Sequence, residues 1–167
     1  MSAVFLTKRS NIVYDAMGRI LSEQQCTPSN CTSGAPYAPI YTYNLAGNLT
    51  SYTNGISTTS SVGTLVFTNT YDAADHLQTV TSNWSDGTHP ATLFSAQTAT
   101  TTACPDSMSY PYAAFGGLMN ATYGSGITLN RTYDKRLRTT CEIDTGNGTT
   151  ATRGSATATI TGAEQTN

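Results

Sequence analysis

The sequence predicts an all-β protein: tandem antiparallel β-hairpins forming a twisted, open sheet. Three observations carry this. Threonine and serine supply 32 and 16 of the 167 residues, and threonine, stiff at χ1, suits a pleated, half-wet surface. Runs of Ala, Leu, Glu and Lys at helical spacing are missing. A seven-residue phrase, Tyr-Asp-x-x-Gly-x-Leu, recurs five times along the chain, and internal repeats decide architecture before any single element does.

The first copy is Tyr14-Asp15-Ala16-Met17-Gly18-Arg19-Ile20 and the second Tyr43-Asn44-Leu45-Ala46-Gly47-Asn48-Leu49. The third is Tyr71-Asp72-Ala73-Ala74-Asp75-His76-Leu77 and the fourth Tyr112-Ala113-Ala114-Phe115-Gly116-Gly117-Leu118. The fifth reads as two residues shorter, Tyr133-Asp134-Lys135-Arg136-Leu137. Asp or Asn after the Tyr can bond its side chain to backbone two residues on. Gly four residues after the Tyr supplies a backbone position with φ above zero. Asp75 tolerates the same region. Asp at one position with Gly three later is the preference of a type I turn. Each copy is therefore expected to be a hairpin tip between strands such as 66–71 and 77–81. Period-2 counting puts Leu65, Phe67, Asn69 and Tyr71 on one face, and Ile127, Leu129, Arg131 and Tyr133 likewise. Leu137, Thr139, Cys141 and Ile143 follow on the outgoing strand, with Leu137 facing as the other copies' Leu or Ile does because an even deletion keeps parity. Thr42, Thr70 and Thr132, each before a repeat Tyr, are expected on the opposite face, wet but uncharged. The tyrosines read as repeated packing and stacking residues.

Between the copies, residues 23–40 read as a Pro-, Ser- and Cys-rich loop, 54–63 as a polar turn and 83–109 as the longest irregular stretch. Loops of that length are usually functional or mobile, and Trp84 is the best single platform there for stacking a sugar. The domain reading is residues 1–144 as the repeat region and 145–167 as a Gly/Thr-rich linker with a terminal strand or tail. Residues Met1–Arg9 do not read as a signal peptide, since the apolar run Ala3–Leu6 is shorter than the roughly 7–15 residues of such a core. Both ends read as cut from a longer β protein.

Chemistry-bearing patterns are sparse. Eight scattered basic residues and a net charge of −2 do not make a phosphate-tracking surface, so nucleic acid is not an expected partner. No apolar run approaches the roughly 18 residues of a membrane helix. The cysteines, Cys26, Cys31, Cys104 and Cys141, allow three pairings. Cys26 and Cys31 bracket a turn-rich stretch and could pair locally in an oxidising compartment. With two His, His76 and His89, and no Cys-x-x-Cys pair, a metal site is not expected. Neither a Gly-x-Ser-x-Gly elbow nor a phosphate loop is present. The acids sit at hairpin tips, where turn formation explains them. No catalytic residue and no cofactor is expected. Six Asn-x-Ser/Thr sequons, at Asn30, Asn48, Asn83, Asn120, Asn130 and Asn147, exceed chance too little to argue for glycosylation.

Tandem Tyr-Asp-x-x-Gly-Arg/Asn-Leu resembles the signature of Rhs/YD repeats. The copies at Tyr14, Asp15, Gly18, Arg19 and at Tyr43, Asn44, Gly47, Asn48 match it closely. Residues 41–50 and 115–124 also resemble Rhs-repeat proteins, and the resemblance covers about residues 10–143. It implies a strip of hairpins belonging to a hollow shell that encloses a C-terminal toxin domain in bacterial polymorphic toxins and Tc toxin complexes; teneurins carry related extracellular shells. The chain departs from the family in being too short for a closed shell and in lacking the segment where members cleave themselves with paired Asp residues.

The resulting expectation is a non-enzymatic piece of shell wall. It would enclose, present or scaffold another domain, within a bacterial parent that is exported or at the cell surface. Expected partners are further YD repeats or an enclosed toxin domain, with edge-strand self-association of the isolated chain. The alternative is a cell-surface carbohydrate-binding or adhesion module.

Overall fold

The computed structural model describes residues 8–26, 37–56, 63–84, 88–98, 104–105, 108–124, 126–146 and 149–154. Cys31 and the sequons at Asn30 and Asn147 lie outside them. The described residues form antiparallel strands in open sheets: β1 Lys8–Tyr14, β2 Ile20–Cys26, β3 Tyr41–Tyr43, β4 Leu49–Thr53, β5 Val66–Tyr71, β6 Leu77–Ser82, β7 Thr92–Ala96, β8 Asn120–Tyr123, β9 Thr128–Tyr133, β10 Thr139–Gly146 and β11 Thr149–Gly154. The all-β, hairpin-built fold read from the sequence is the observed one.

Two compact units divide the chain, the boundary running through the hairpin of β5 and β6. In the first, β1 pairs with β2, β3 with β4, and β4 with β5. Bridges Ser22–Ile40 and Gln25–Tyr37 join β2 to the stretch leading into β3. In the second, the hydrogen-bonded order is β6-β7-β8-β9-β10-β11.

A recurrent bulge sets the shape of the hairpins. Val13 pairs with Ser22 but Tyr14 with Ile20; Thr42 pairs with Ser51 but Tyr43 with Leu49; Thr132 pairs with Cys141 but Tyr133 with Thr139. One residue, Leu21, Thr50 or Thr140, is extra each time. Such an insertion bends the strand and reverses its side-chain alternation. Simple period-2 counting through the tip therefore fails: Cys141 lies opposite Thr132 rather than in phase with Tyr133. The bulged threonines have partners across the hairpin. Thr42 Oγ1 lies 2.8 Å from Thr50 Oγ1, and Thr132 Oγ1 lies 3.0 Å from Thr140 Oγ1.

Several expectations need correction. The fifth copy is not shortened. Leu137 stands at the tip in the position of Gly18, with φ of 63°, Arg138 replaces Arg19, and Thr139 replaces Ile20 opposite the Tyr. Leu137 is 56% exposed and does not face as the other copies' Leu does. The fourth copy has a tip but no regular incoming strand, Tyr112 and Leu118 being joined by an isolated bridge. The 83–109 stretch contains β7, and residues 145–154, read as linker, end β10 and form β11. Thr42 and Thr70 are exposed as expected, but Thr132 is buried.

Thr132 is buried because the segment around Cys104–Met119 covers that face of β9. Cys104 and Cys141 form a disulfide with a Cα–Cα distance of 5.9 Å. The Cys104 amide donates to Asn130 Oδ1 at 2.6 Å, Asn130 Nδ2 donates to Asn120 Oδ1 at 2.6 Å, and Asn120 Nδ2 donates to the carbonyls of Met108 and Tyr110. Met119, Ala121 and Leu129, which alternate with these asparagines along the strands, are the buried apolar residues of this region. Two of the sequon asparagines, Asn120 and Asn130, are thus buried structural amides.

Candidate functional site: the hairpin-tip ladder

The repeated residues form one kind of tip. In the first copy the Asp15 amide donates to the Arg19 carbonyl at 2.9 Å and the Gly18 amide to the Asp15 carbonyl at 3.0 Å. This is a type I turn closed by a residue in the left-handed region. Asn44, Asp72, Ala113 and Asp134 repeat both bonds. The side chain adds a second lock. Asp15 Oδ1 accepts from the amides of Met17 and Arg19, and Oδ2 accepts from Arg19 Nε at 2.7 Å. Asp72 holds Ala74 and His76 in the same way, with His76 Nδ1 3.1 Å from its other oxygen. Asp134 holds Arg136 and Arg138. Asn44 Oδ1 accepts from the Asn48 amide at 2.9 Å.

These hydrogen bonds have an electrostatic signature. The carboxyls of Asp15, Asp72 and Asp134 titrate below the ordinary 3.8, chiefly because the backbone amides of Arg19, His76 and Arg138 donate to the charged form. A group whose folded value is depressed contributes stability above its unfolded value and loses it as pH falls through the folded one. Thermal stability is therefore expected to fall below about pH 3.8. The triple variant Asp15→Asn, Asp72→Asn, Asp134→Asn keeps the acceptor oxygen, as Asn44 does, and should show a flatter dependence between pH 6 and pH 3. Melting curves of both proteins at the two pH values are the check.

The fifth tip residue must sit at positive φ. Gly18, Gly47 and Gly116 do so freely, whereas Asp75 (62°) and Leu137 (63°) carry a Cβ. Leu137→Gly should raise stability by about 1 kcal/mol, since the left-handed region costs a non-glycine residue roughly that much. Equilibrium denaturation measures it.

Neighbouring tips interlock. The sixth position of one copy lies against the Tyr of the next. Arg19 stands over the Tyr43 ring, 4.7 Å from its centroid, and its Nη1 donates to the Asn44 carbonyl at 3.1 Å. His76 stacks on Tyr112 at 4.6 Å and 20°, and the Tyr112 hydroxyl donates to the Leu77 carbonyl at 2.5 Å. In the fourth copy the sixth position is Gly117, and the ring of Phe115, from the same tip, fills the place. A Cβ on Gly117 would lie 2.5 Å from that ring and 3.1 Å from Tyr133, and Phe115 meets Tyr133 edge to face at 5.1 Å. Guanidinium, imidazole and phenyl thus do the same job on three tyrosines. The sequence reads the tyrosines as packing and stacking residues without naming partners, and Tyr43, Tyr112 and Tyr133 have the ring partners just described. The register of adjacent hairpins supplies them, putting Arg19 opposite Tyr43 and Gly117 opposite Tyr133. Sequence reading also missed a sixth turn of the same class at Tyr123–Ile127, where the Gly126 amide donates to the Tyr123 carbonyl at 2.8 Å.

Other candidates are placed as follows. Tyr71 and Asn48 are half-buried at their tips. Trp84 is 38% exposed just after β6, its amide 3.4 Å from Ser82 Oγ. A groove of about 570 Å³ opens beside the cover segment, lined by Met108, Phe115, Met119, Tyr133, Asp134 and Thr140 among others. Its polar groups are largely engaged within the tip and across the hairpin.

No family model matches the chain, and no curated protein does. Solved structures do. The chain superposes on the crystal structure of TcdB2-TccC3-Cdc42 with a TM-score of 0.53 at 14% identity, over 78% of its own length and 6% of that chain. TcdB2-TccC3 without its hypervariable C-terminal region gives the same values. At that identity the likeness shows the fold, and the protein corresponds to a small part of those far longer chains.

Proposed function

We propose that the chain is a non-enzymatic wall segment of an Rhs-type β-shell, one that encloses, presents or scaffolds a toxin or effector domain of a longer parent. The observation that carries this reading is the tip-to-tip ladder. Repeat side chains are spent on holding one hairpin to the next, as a wall requires. His76, one of the two histidines, bonds to Asp72 and stacks on Tyr112 in that ladder. The fold likeness to a slice of TcdB2-TccC3 and the resemblance of the motif to Rhs/YD repeats support the same reading. The Cys104–Cys141 disulfide suits an exported or cell-surface parent, where such bonds persist.

A wall segment removed from its neighbours leaves unpaired strand edges. Sedimentation velocity of the isolated chain should show concentration-dependent self-association, reduced by a proline within β1. A strictly monomeric chain with a sharp, concentration-independent unfolding transition would overturn the proposal. The exposed indole of Trp84 favours a second reading as a carbohydrate-binding module. Glycan-array binding that disappears in Trp84→Ala would replace the wall reading with that one.

A further inference from the structure

We infer that the fourth hairpin tip, with the groove it lines, binds a small amphipathic carboxylate. The amides of Phe115 and Gly117 would hold the carboxylate, and the apolar body would lie along the methionine-lined groove. The inference goes beyond the wall reading and does not depend on it.

The other four repeat copies supply their own acceptor. Oδ1 of Asp15, Asn44, Asp72 and Asp134 accepts from the amide four residues on, and the three aspartates hold the amide two residues on with the same oxygen. The fourth copy makes the same backbone turn. Its Ala113 amide donates to the Gly117 carbonyl and its Gly116 amide to the Ala113 carbonyl, both at 2.8 Å. Ala113, however, has no side-chain oxygen to offer. The amides of Phe115 and Gly117, which correspond to those the aspartates hold, have no acceptor among the described residues. Two amides fixed on a turn and aimed at one point make an anion cradle. The three sister tips show that a carboxylate oxygen fits it.

The surroundings select the rest of the ligand. Ala113, Ala114 and Phe115 line the groove of about 570 Å³, a volume usual for a small-molecule site. Met119, 6% exposed, and Met108 and Phe115, 60% and 46% exposed, give it apolar lining, and methionine adapts readily to an apolar guest. The hydroxyls of Thr132 and Thr140 bond to each other, and that of Tyr133 donates to the Leu118 carbonyl, so this lining does not call for a polar body. Charge favours an acid. The fifth tip carries Lys135, Arg136 and Arg138, three of the chain's eight basic residues, all exposed. Its one carboxylate, Asp134, also lines the groove, but its oxygens are taken by the amides of Arg136 and Arg138 and by the Arg138 guanidinium. The rim is net cationic and attracts an anion.

The test titrates octanoate into the full chain, labelled with nitrogen-15, and follows backbone amides by NMR. The Phe115 and Gly117 amides should shift together and saturate, while those of Met17 and Ala74, already held by Asp15 and Asp72, should not. Octanol, with the same chain and no charge, should bind about tenfold more weakly, since hydrogen bonds to a charged group are the stronger ones. Ala113→Asp supplies the carboxylate from the chain itself. This variant should melt at a higher temperature than the parent and bind octanoate about tenfold more weakly or worse. Octanol binding as tightly as octanoate would overturn the inference, as would unshifted Phe115 and Gly117 amides. So would an Ala113→Asp variant that gains no stability or still binds octanoate as the parent does. Each of these results leaves the wall reading standing, because that reading makes no use of the site.

Discussion

Replacing Cys104 and Cys141 together by serine is expected to lower stability by about 4 kcal/mol. The two cysteines are 37 residues apart, and closing a loop of that length removes roughly this much free energy from the unfolded chain in the loop-entropy picture. The loss is large for this protein because its core is small. Among the described residues, the buried apolar side chains are those of Cys26, Cys104, Met119, Ala121 and Leu129, while Leu45, Met17 and Met108 are exposed. A sheet with one thin cover cannot compensate by repacking. The cover should also loosen locally, exposing Thr132 and the amide of Met119, which now donates to the Pro111 carbonyl at 2.8 Å. Urea denaturation gives the global loss. Hydrogen exchange at Met119 and Thr132 reports the local one. Reduction is the poorer experiment, because Cys26 is disulfide-bonded too and would be opened with them.

The tips were the most legible part of the molecule, since turn chemistry is local. The carboxylates of Asp15, Asp72 and Asp134 that reach the amides two and four residues on, and the positive φ of Gly18, Gly47 and Gly116, follow from short-range geometry within seven residues. Legibility failed where geometry is set by something outside those seven. The bulge in the first, second and fifth copies shifts parity by one residue, and alternation read across it put Cys141 on the wrong side. Leu137 looked like the hydrophobic residue that closes the motif, because glycine is the usual occupant of the left-handed position. Only the full register, with Thr139 opposite Tyr133, shows that the copy is complete and that leucine occupies that position at some cost. The cover over β9 was invisible for a different reason. Asn120 and Asn130 carry the local pattern of glycosylation sites, and nothing nearby in sequence indicates that Cys104, Met108 and Tyr110 return to satisfy them. The tip ladder lies between these cases. Tyr and Arg each stand out within a copy, and the contact between copies appears only once hairpins are set side by side in register.

Asn120→Leu is expected to cost about 3 kcal/mol, and the reason separates it from an ordinary core substitution. Leucine has the same branched outline and is the larger residue, so no cavity forms. What is lost is a set of partners: the carbonyls of Met108 and Tyr110 lose a donor and Asn130 Nδ2 loses an acceptor, while Asn120 itself is only 2% exposed. Each buried group left unpaired costs about 1–3 kcal/mol. The two carbonyls belong to exposed residues and can turn to water, which keeps the total near the lower end of the sum. Asn130 cannot turn, because its Oδ1 is held by the Cys104 amide, so the penalty concentrates there and passes to the disulfide end of the cover. The two perturbations should therefore couple. With the Cys104–Cys141 bond intact, Asn120→Leu strains a segment that is pinned at one end. Without the bond, the segment can lift and rehydrate Asn130. The combined variant is expected to lose about 1–2 kcal/mol less than the sum of the separate losses. Strict additivity in a double-mutant cycle by urea denaturation would mean that the amide network and the disulfide hold different parts of the chain.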